Sequence, residues 1–227
     1  LVRKELSTYI EHIRVEYDNI VVVKMSEDLF GTDSPLFLVG VYLPPSSSDY
    51  YRDTEIANGI TILEQCMMDL IDIHGNLPFL LLGDFNARTG GTNTCENSED
   101  LEVDPVHVSD DVVTRTAKDT DFNEFGKHVL SLCKCFDLTI LNGTIKSDVD
   151  FGNYTYISPT GCSIVDYFIT SYSLLEYCIS LDIVPRIESK HMPVQLHFGK
   201  FHVENDHSKC PDIIKIEKMK WDSEKVH

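Results

Sequence analysis

At 227 residues, 42% of them hydrophobic and 25% charged, the chain has the size and composition of one globular domain with a substantial core. No apolar run approaches the ~20 residues of a membrane span, and the opening Leu1-Val2-Arg3-Lys4-Glu5 is not a secretory signal. A formal charge of -18 argues against tight nucleic-acid binding through a broad basic surface, but leaves room for a local basic or metal-neutralised site.

The chain lacks an initial Met and reads as starting inside an element, so a fragment is expected. Residues 19–25 and 36–43 are β-branched and largely apolar, and read as buried strands; Pro44-Pro45 ends the second. A long helix is expected from Asp53, with Ile56, Ile60, Leu63, Met67 and Leu70 as its apolar stripe and Gly75-Asn76 as its stop. Residues 79–82 form the next strand. Residues 87–120 are a long polar stretch whose acidic cluster reads as solvated surface rather than a metal site. A second helix is expected near Asp121, with Asp121 and Glu124 as a capping box and Phe122, Phe125, Val129, Leu132 and Phe136 on its apolar side. Strands follow at 138–141, 154–158, 163–170, 178–184 and 194–198, with a turn at Asn142-Gly143. Residues 1–199 read as one domain and residues 200–227 as a polar linker or tail. Short strands with two long helices between them imply an α/β or α+β sandwich. The seven cysteines are Cys66, Cys95, Cys133, Cys135, Cys162, Cys178 and Cys210; their odd number and the lack of a zinc-type CxxC pair point to free thiols in a reducing, intracellular compartment.

The chemistry concentrates where Leu80-Leu81-Leu82-Gly83-Asp84-Phe85-Asn86 leaves the core. Strand alternation would aim Asp84 and Asn86 the same way, with Phe85 anchored opposite. A carboxylate there can orient or deprotonate a water, and an amide can donate to an oxyanion. A bare Asp-x-Asn more often marks an Asx turn, so the rest of the chain must decide. Asp166 lies within the apolar run Ser163-Ile164-Val165-Asp166-Tyr167-Phe168, where a buried carboxylate needs a partner. His191, one of nine histidines, sits in Ser189-Lys190-His191-Met192-Pro193 before the last strand. If that loop folds beside Asp166, the carboxylate would fix the ring's tautomer. Tyr42 places a phenol at a strand end, either as a rim residue or as part of a site.

Together, Val41-Tyr42-Leu43-Pro44-Pro45, Gly83-Asp84-Phe85-Asn86, Ser163-Ile164-Val165-Asp166-Tyr167 and Ser189-Lys190-His191, in that order, resemble the endonuclease/exonuclease/phosphatase superfamily. The likeness is nearest to the apurinic-type endonuclease domain of LINE-like retrotransposons, as Arg115-Thr116-Ala117-Lys118-Asp119, Asn123-x-x-Gly126, Leu141-Asn142-Gly143 and Tyr154-Thr155-Tyr156-Ile157-Ser158-Pro159 also look like that subfamily. Lys220-Trp221 is similar to the segment leading towards a reverse transcriptase. The resemblance implies a four-layer α/β sandwich of two packed β-sheets flanked by helices, with its first strands upstream of Leu1. It implies that Asp84 activates the water and contributes to the metal site, while Asn86 and Tyr42 hold phosphate oxygens. His191 would contact the scissile phosphate, Asp166 would hydrogen-bond His191, and Asn142 would join Asn86 and Tyr42 in binding substrate. Mg²⁺ is the implied cofactor and DNA the implied partner, with a fused reverse transcriptase in a parent polyprotein and a nuclear location, although no basic import cluster is present.

The pattern departs from the family at two places. The strand carrying its Asn and the segment carrying its metal-binding Glu would precede Leu1, and its Ser-Asp-His is Ser189-Lys190-His191 here. The resulting expectation is a DNA-nicking, Mg²⁺-dependent phosphodiester hydrolase by ancestry, impaired in this chain. The alternatives are a catalytically inactive remnant or binding module, and a phosphatase acting on a small phosphate ester or phosphoinositide.

Overall fold

The computed structural model describes residues 3–53, 58–92, 115–199 and 216–217. Among the described residues there are eleven strands: β1 Ile10–Ile13, β2 Ile20–Met25, β3 Leu36–Tyr42, β4 Phe79–Asp84, β5 Leu138–Ile140, β6 Tyr156–Ser158, β7 Gly161–Ser163, β8 Asp166–Ser171, β9 Cys178–Ile183, β10 Val194–Phe198 and β11 Ile216–Glu217. The helices are α1 Glu27–Phe30, α2 Asp49–Asp53, α3 Gly59–His74 and α4 Glu124–Cys135.

A six-stranded mixed sheet has the order β1-β2-β3-β4-β8-β5, parallel only between β3 and β4, which α3 connects. A three-stranded antiparallel sheet has the order β11-β10-β9. Strand alternation sorts side chains to the two faces of the large sheet. Phe37, Val39, Phe79, Leu81, Tyr167 and Ile169 face the helices, packing with Leu63, Met67 and Leu70 of α3 and Val129, Leu132 and Cys133 of α4. Leu36, Leu80 and Phe168 face the other way and pack against Leu181, Val194, Leu196 and Phe198 of the small sheet. Burial of each such side chain contributes about 1.5–3 kcal/mol, which makes these interfaces the main source of cohesion. The fold is therefore an α/β sandwich of two packed sheets flanked by helices. Among the described residues the two long helices both lie on the large sheet's outer side.

Several element boundaries differ from expectation, each for a local reason. Strand β1 was not foreseen, because its four residues, Ile-Glu-His-Ile, carry too little apolar signal to read as a strand. The first long helix starts at Gly59, not Asp53: Asn58 caps it by accepting from the Thr61 N–H at 3.0 Å, and Asp49–Asp53 form a separate short helix. Ile56 lies outside the described residues. The second helix is capped by Asn123, which accepts from the Gly126 N–H at 2.7 Å; the Asp121–Glu124 capping box does not form. Phe122 thus precedes the helix and is 51% exposed instead of joining its apolar stripe. The expected strand 163–170 breaks into β7 and β8, because the N–H groups of Ile164, Val165 and Asp166 are taken by side chains of Asp119 and Thr155. The acidic cluster of the 87–120 stretch lies outside the described residues. Of the expected tail, Ile216–Glu217 pair with β10, and the rest lies outside the described residues.

Candidate active site

The register of the large sheet lines up Tyr42, Asp84 and Asp166 across β3, β4 and β8: Tyr42 pairs with Asp84, and Asp84 pairs with Asp166. All three share the parity of Leu36, Leu80 and Phe168, so they belong to the face that meets the small sheet. The loop before β10 brings His191 to that same end. The site therefore occupies one end of the seam between the sheets.

Gly83 makes the approach of β4 to β3 possible. Its φ is +146°, and a Cβ there would lie on the carbonyl of Val41. Strand pairing stops at Asp84, and the chain turns. Asp84 Oδ1 accepts from the Asn86 N–H at 3.0 Å, an Asx turn that puts Asn86 at φ +47°. The turn, not continued strand alternation, sets Asn86 beside Asp84, and Phe85 is buried in the core at 0% exposure. Asn is among the few residues that tolerate this left-handed backbone. Its Nδ2 donates to the Leu43 carbonyl at 2.7 Å, which fixes the amide and spends one of its two N–H donors.

Asp166 is 1% exposed, and its Oδ2 lies 2.9 Å from His191 Nδ1. The ring's other nitrogen, Nε2, is 3.9 Å from Asp84 Oδ2. With Nδ1–H donated to Asp166, Nε2 is the nitrogen that faces Asp84 and the cleft. The Tyr156 ring packs edge-on against the imidazole at 4.9 Å between centroids, and His191 N–H donates to Ser189 Oγ at 3.2 Å. Burial, and then the charge of Asp84, push the Tyr42 phenol above its ordinary value, so it remains a hydrogen-bond donor at neutral pH.

Asp84, Asp166 and His191 each offer a ligand atom, all within 4.8 Å of one another, so this buried group could hold a metal ion. Two carboxylates suit a hard divalent cation, since Mg²⁺ is commonly held by one or two carboxylates with water and substrate oxygens completing its shell. Lys190 is exposed, and its carbonyl accepts from the Ile157 N–H at 2.8 Å.

Of the expected site residues, Tyr42, Asp84, Asn86, Asp166 and His191 come together. Asn142 does not join the cleft. It is 0% exposed and its carboxamide is spent on β8, donating to the Asp166 carbonyl and accepting from the Phe168 N–H, each at 3.0 Å. Sequence reasoning missed the residues that brace the site. Arg88 Nε and Nη2 form a two-point bridge to Asp119, at 3.0 and 2.6 Å, and Arg88 also pairs with Asp121 at 2.8 Å. Burial raises the Asp119 carboxyl. The Arg88 hydrogen bond and charge, with the Ile164 and Asp121 N–H groups, outweigh that and hold it below its ordinary value. Arg115 is buried and donates to Thr89, to the Asn142 carbonyl and to the carbonyls of Gly90 and Thr92; burial pushes its guanidinium down. These partners lie tens of residues apart, and no local spacing announces them. The hints in the sequence were Arg88, two residues after the Gly83–Asn86 turn, and the Arg115–Asp119 segment.

No family model matches this sequence, and no curated protein matches it. Solved structures do. The chain is similar to the endonuclease domain of TRAS1, a telomere-specific non-LTR retrotransposon, with a TM-score of 0.53 and 17% identity over 85% of this chain and 69% of that one. It is also similar to the 3'-5' exonuclease NExo from Neisseria meningitidis, with a TM-score of 0.51 and 14% identity over 80% of this chain and 65% of that one. The chain thus spans about two thirds of the length of each. With the mixed six-stranded sheet, the second sheet and the helices placed as described, the fold is that of the endonuclease/exonuclease/phosphatase type.

Proposed function

We propose that this chain is a phosphodiester hydrolase that nicks DNA with the help of a divalent cation, at a low rate. The observation that carries the reading is the convergence of Asp84, Asn86, Tyr42 and the hydrogen-bonded Asp166–His191 pair at one end of the inter-sheet seam. Asp84 orients a water and takes its proton. Asn86 and the un-ionised Tyr42 donate to non-bridging phosphate oxygens, where negative charge grows as the nucleophile adds. Asp166 holds the imidazole so that Nε2 meets the phosphate. A divalent cation bound by Asp84, with Asp166 and His191 beside it, would neutralise charge on the phosphate and the leaving oxygen; Mg²⁺ is the ion expected. DNA as substrate, and an origin as the endonuclease segment of a retrotransposon polyprotein working in the nucleus, draw support from the sequence motifs and from the TRAS1 likeness.

One feature favours a second reading, a non-catalytic remnant: the residue between Ser189 and His191 is a lysine, so a carboxylate that would serve a cation is replaced by an ammonium. A comparison of supercoiled-plasmid nicking with inorganic phosphate release from a soluble phosphoinositide, using one preparation, tests the substrate class. Nicking without phosphate release is expected. Release without nicking would make the chain a phosphatase, and neither activity from folded protein would make it a remnant.

A further inference from the structure

We propose that Thr155 is the positioning residue that keeps Asp166 and His191 in register, a deepening of the hydrolase reading above that rests on it. Thr155 is 0% exposed. Its Oγ1 accepts from the backbone N–H groups of both Val165 and Asp166, each at 3.0 Å. Its own N–H donates to the Ser163 carbonyl at 3.0 Å, and its carbonyl accepts from the N–H of Met192, next to His191, at 2.7 Å. One residue therefore grips both halves of the pair: the start of β8 through its hydroxyl, and the His191 loop through its backbone.

The grip is needed because residues 164–165 run between β7 and β8 and Asp166 opens β8, so that the N–H groups of Val165 and Asp166 find their acceptor in a side chain. A hydroxyl oxygen has two acceptor lone pairs, so one threonine serves two successive N–H groups. Asn142 completes the arrangement from the other side by donating to the Asp166 carbonyl. With N–H and C=O both held by buried side chains, the Asp166 carboxylate has one place to be. The 2.9 Å bond to Nδ1 depends on that place, since hydrogen bonds weaken steeply once distance and angle drift.

Thr155→Val keeps the shape and removes the acceptor, whereas Thr155→Ser keeps the acceptor. The expected result for folded Thr155→Val is a fall in kcat for plasmid nicking of roughly 10- to 100-fold with KM changed less than about twofold, the signature of a displaced reacting group. The low-field NMR signal of the Nδ1–H that His191 shares with Asp166 should be lost or exchange faster with water in the same variant. Thr155→Ser should restore both. Should Thr155→Val not fold, Thr155→Ala, which leaves space for a water to accept from the two N–H groups, takes its place in the comparison. A folded variant with wild-type kcat and an unchanged Nδ1–H signal overturns the proposal, as does a loss that Thr155→Ser shares in full. If wild-type protein does not nick DNA at all, the hydrolase reading fails by itself, and the NMR comparison still decides whether Thr155 positions the pair.

Discussion

Replacing Asp166 by Asn isolates what the buried carboxylate does. Asn has the same shape, so no cavity opens at a residue that is 1% exposed. What changes is the bond at 2.9 Å to His191 Nδ1, which loses its anionic acceptor. If the amide oxygen faces the ring, a weaker neutral bond replaces a charge-assisted one. If the NH2 faces it, Nδ1 must become the acceptor, and the ring can no longer donate from both nitrogens at once, to residue 166 and to the phosphate. A hydrogen bond to a charged group is worth about 1.5–3 kcal/mol net. At about 1.4 kcal/mol per factor of ten, Asp166→Asn should lower kcat by about 10- to 150-fold. KM for DNA should hardly change, because the pair acts on the reacting phosphate and not on the flanking duplex. The same bond is present in the resting fold, so stability should fall by no more than about 3 kcal/mol, a melting shift within about 12 °C for a chain of this size. The assay is conversion of supercoiled plasmid to open circle under saturating DNA, alongside a thermal melt. A folded variant with kcat within about twofold of wild type, or a loss expressed entirely in KM, would refute the reasoning.

Other consequences follow from the bracing residues. Gly126 opens the first turn of α4 against the loop after Asn86, and a Cβ there would lie on the carbonyl of Arg88; Gly126→Ala should cost about 3 kcal/mol or more, read as a melting temperature lower by about 6–12 °C. Because the Asp119 carboxyl titrates below its ordinary value, its contribution to stability is present above the unfolded aspartate value of about 3.9 and is lost as pH falls through the lower folded value. Denaturant unfolding followed from about pH 6 down to about pH 2 should therefore show a loss of stability beginning at about pH 4 that is smaller in Arg88→Gln. Burial pushes the Cys66, Cys133 and Cys178 thiols up to about 12, whereas Cys135 and Cys162 are exposed. Peptide mapping after brief alkylation of native protein should find Cys135 and Cys162 modified, with buried Cys66 and Cys133 and half-buried Cys178 spared until denaturant is added.

Much of this arrangement can be read from the chain. The apolar runs ending at Tyr42 and Asp84 announce strands, and the order of Tyr42, Asp84, Asp166 and His191 along the sequence identifies the fold type and brings the five cleft residues together. The start of the second long helix differs because Asp121 and Glu124 satisfy a capping pattern that Asn123, two residues on, satisfies with better geometry. Asn142 was assigned to substrate because an Asn after a strand looks available, and only the tertiary fold buries it under β8. Thr155, Arg88 and Asp119 act through partners distant in sequence, on N–H groups that strand pairing would otherwise have satisfied, and no periodicity encodes that.

The most direct test is plasmid nicking by the purified, folded chain in Mg²⁺, in Mn²⁺ and in EDTA, beside Asp84→Ala. The account predicts slow nicking that requires the metal and disappears in the variant. Nicking that persists in Asp84→Ala, or none from folded wild-type protein with either metal, would contradict it.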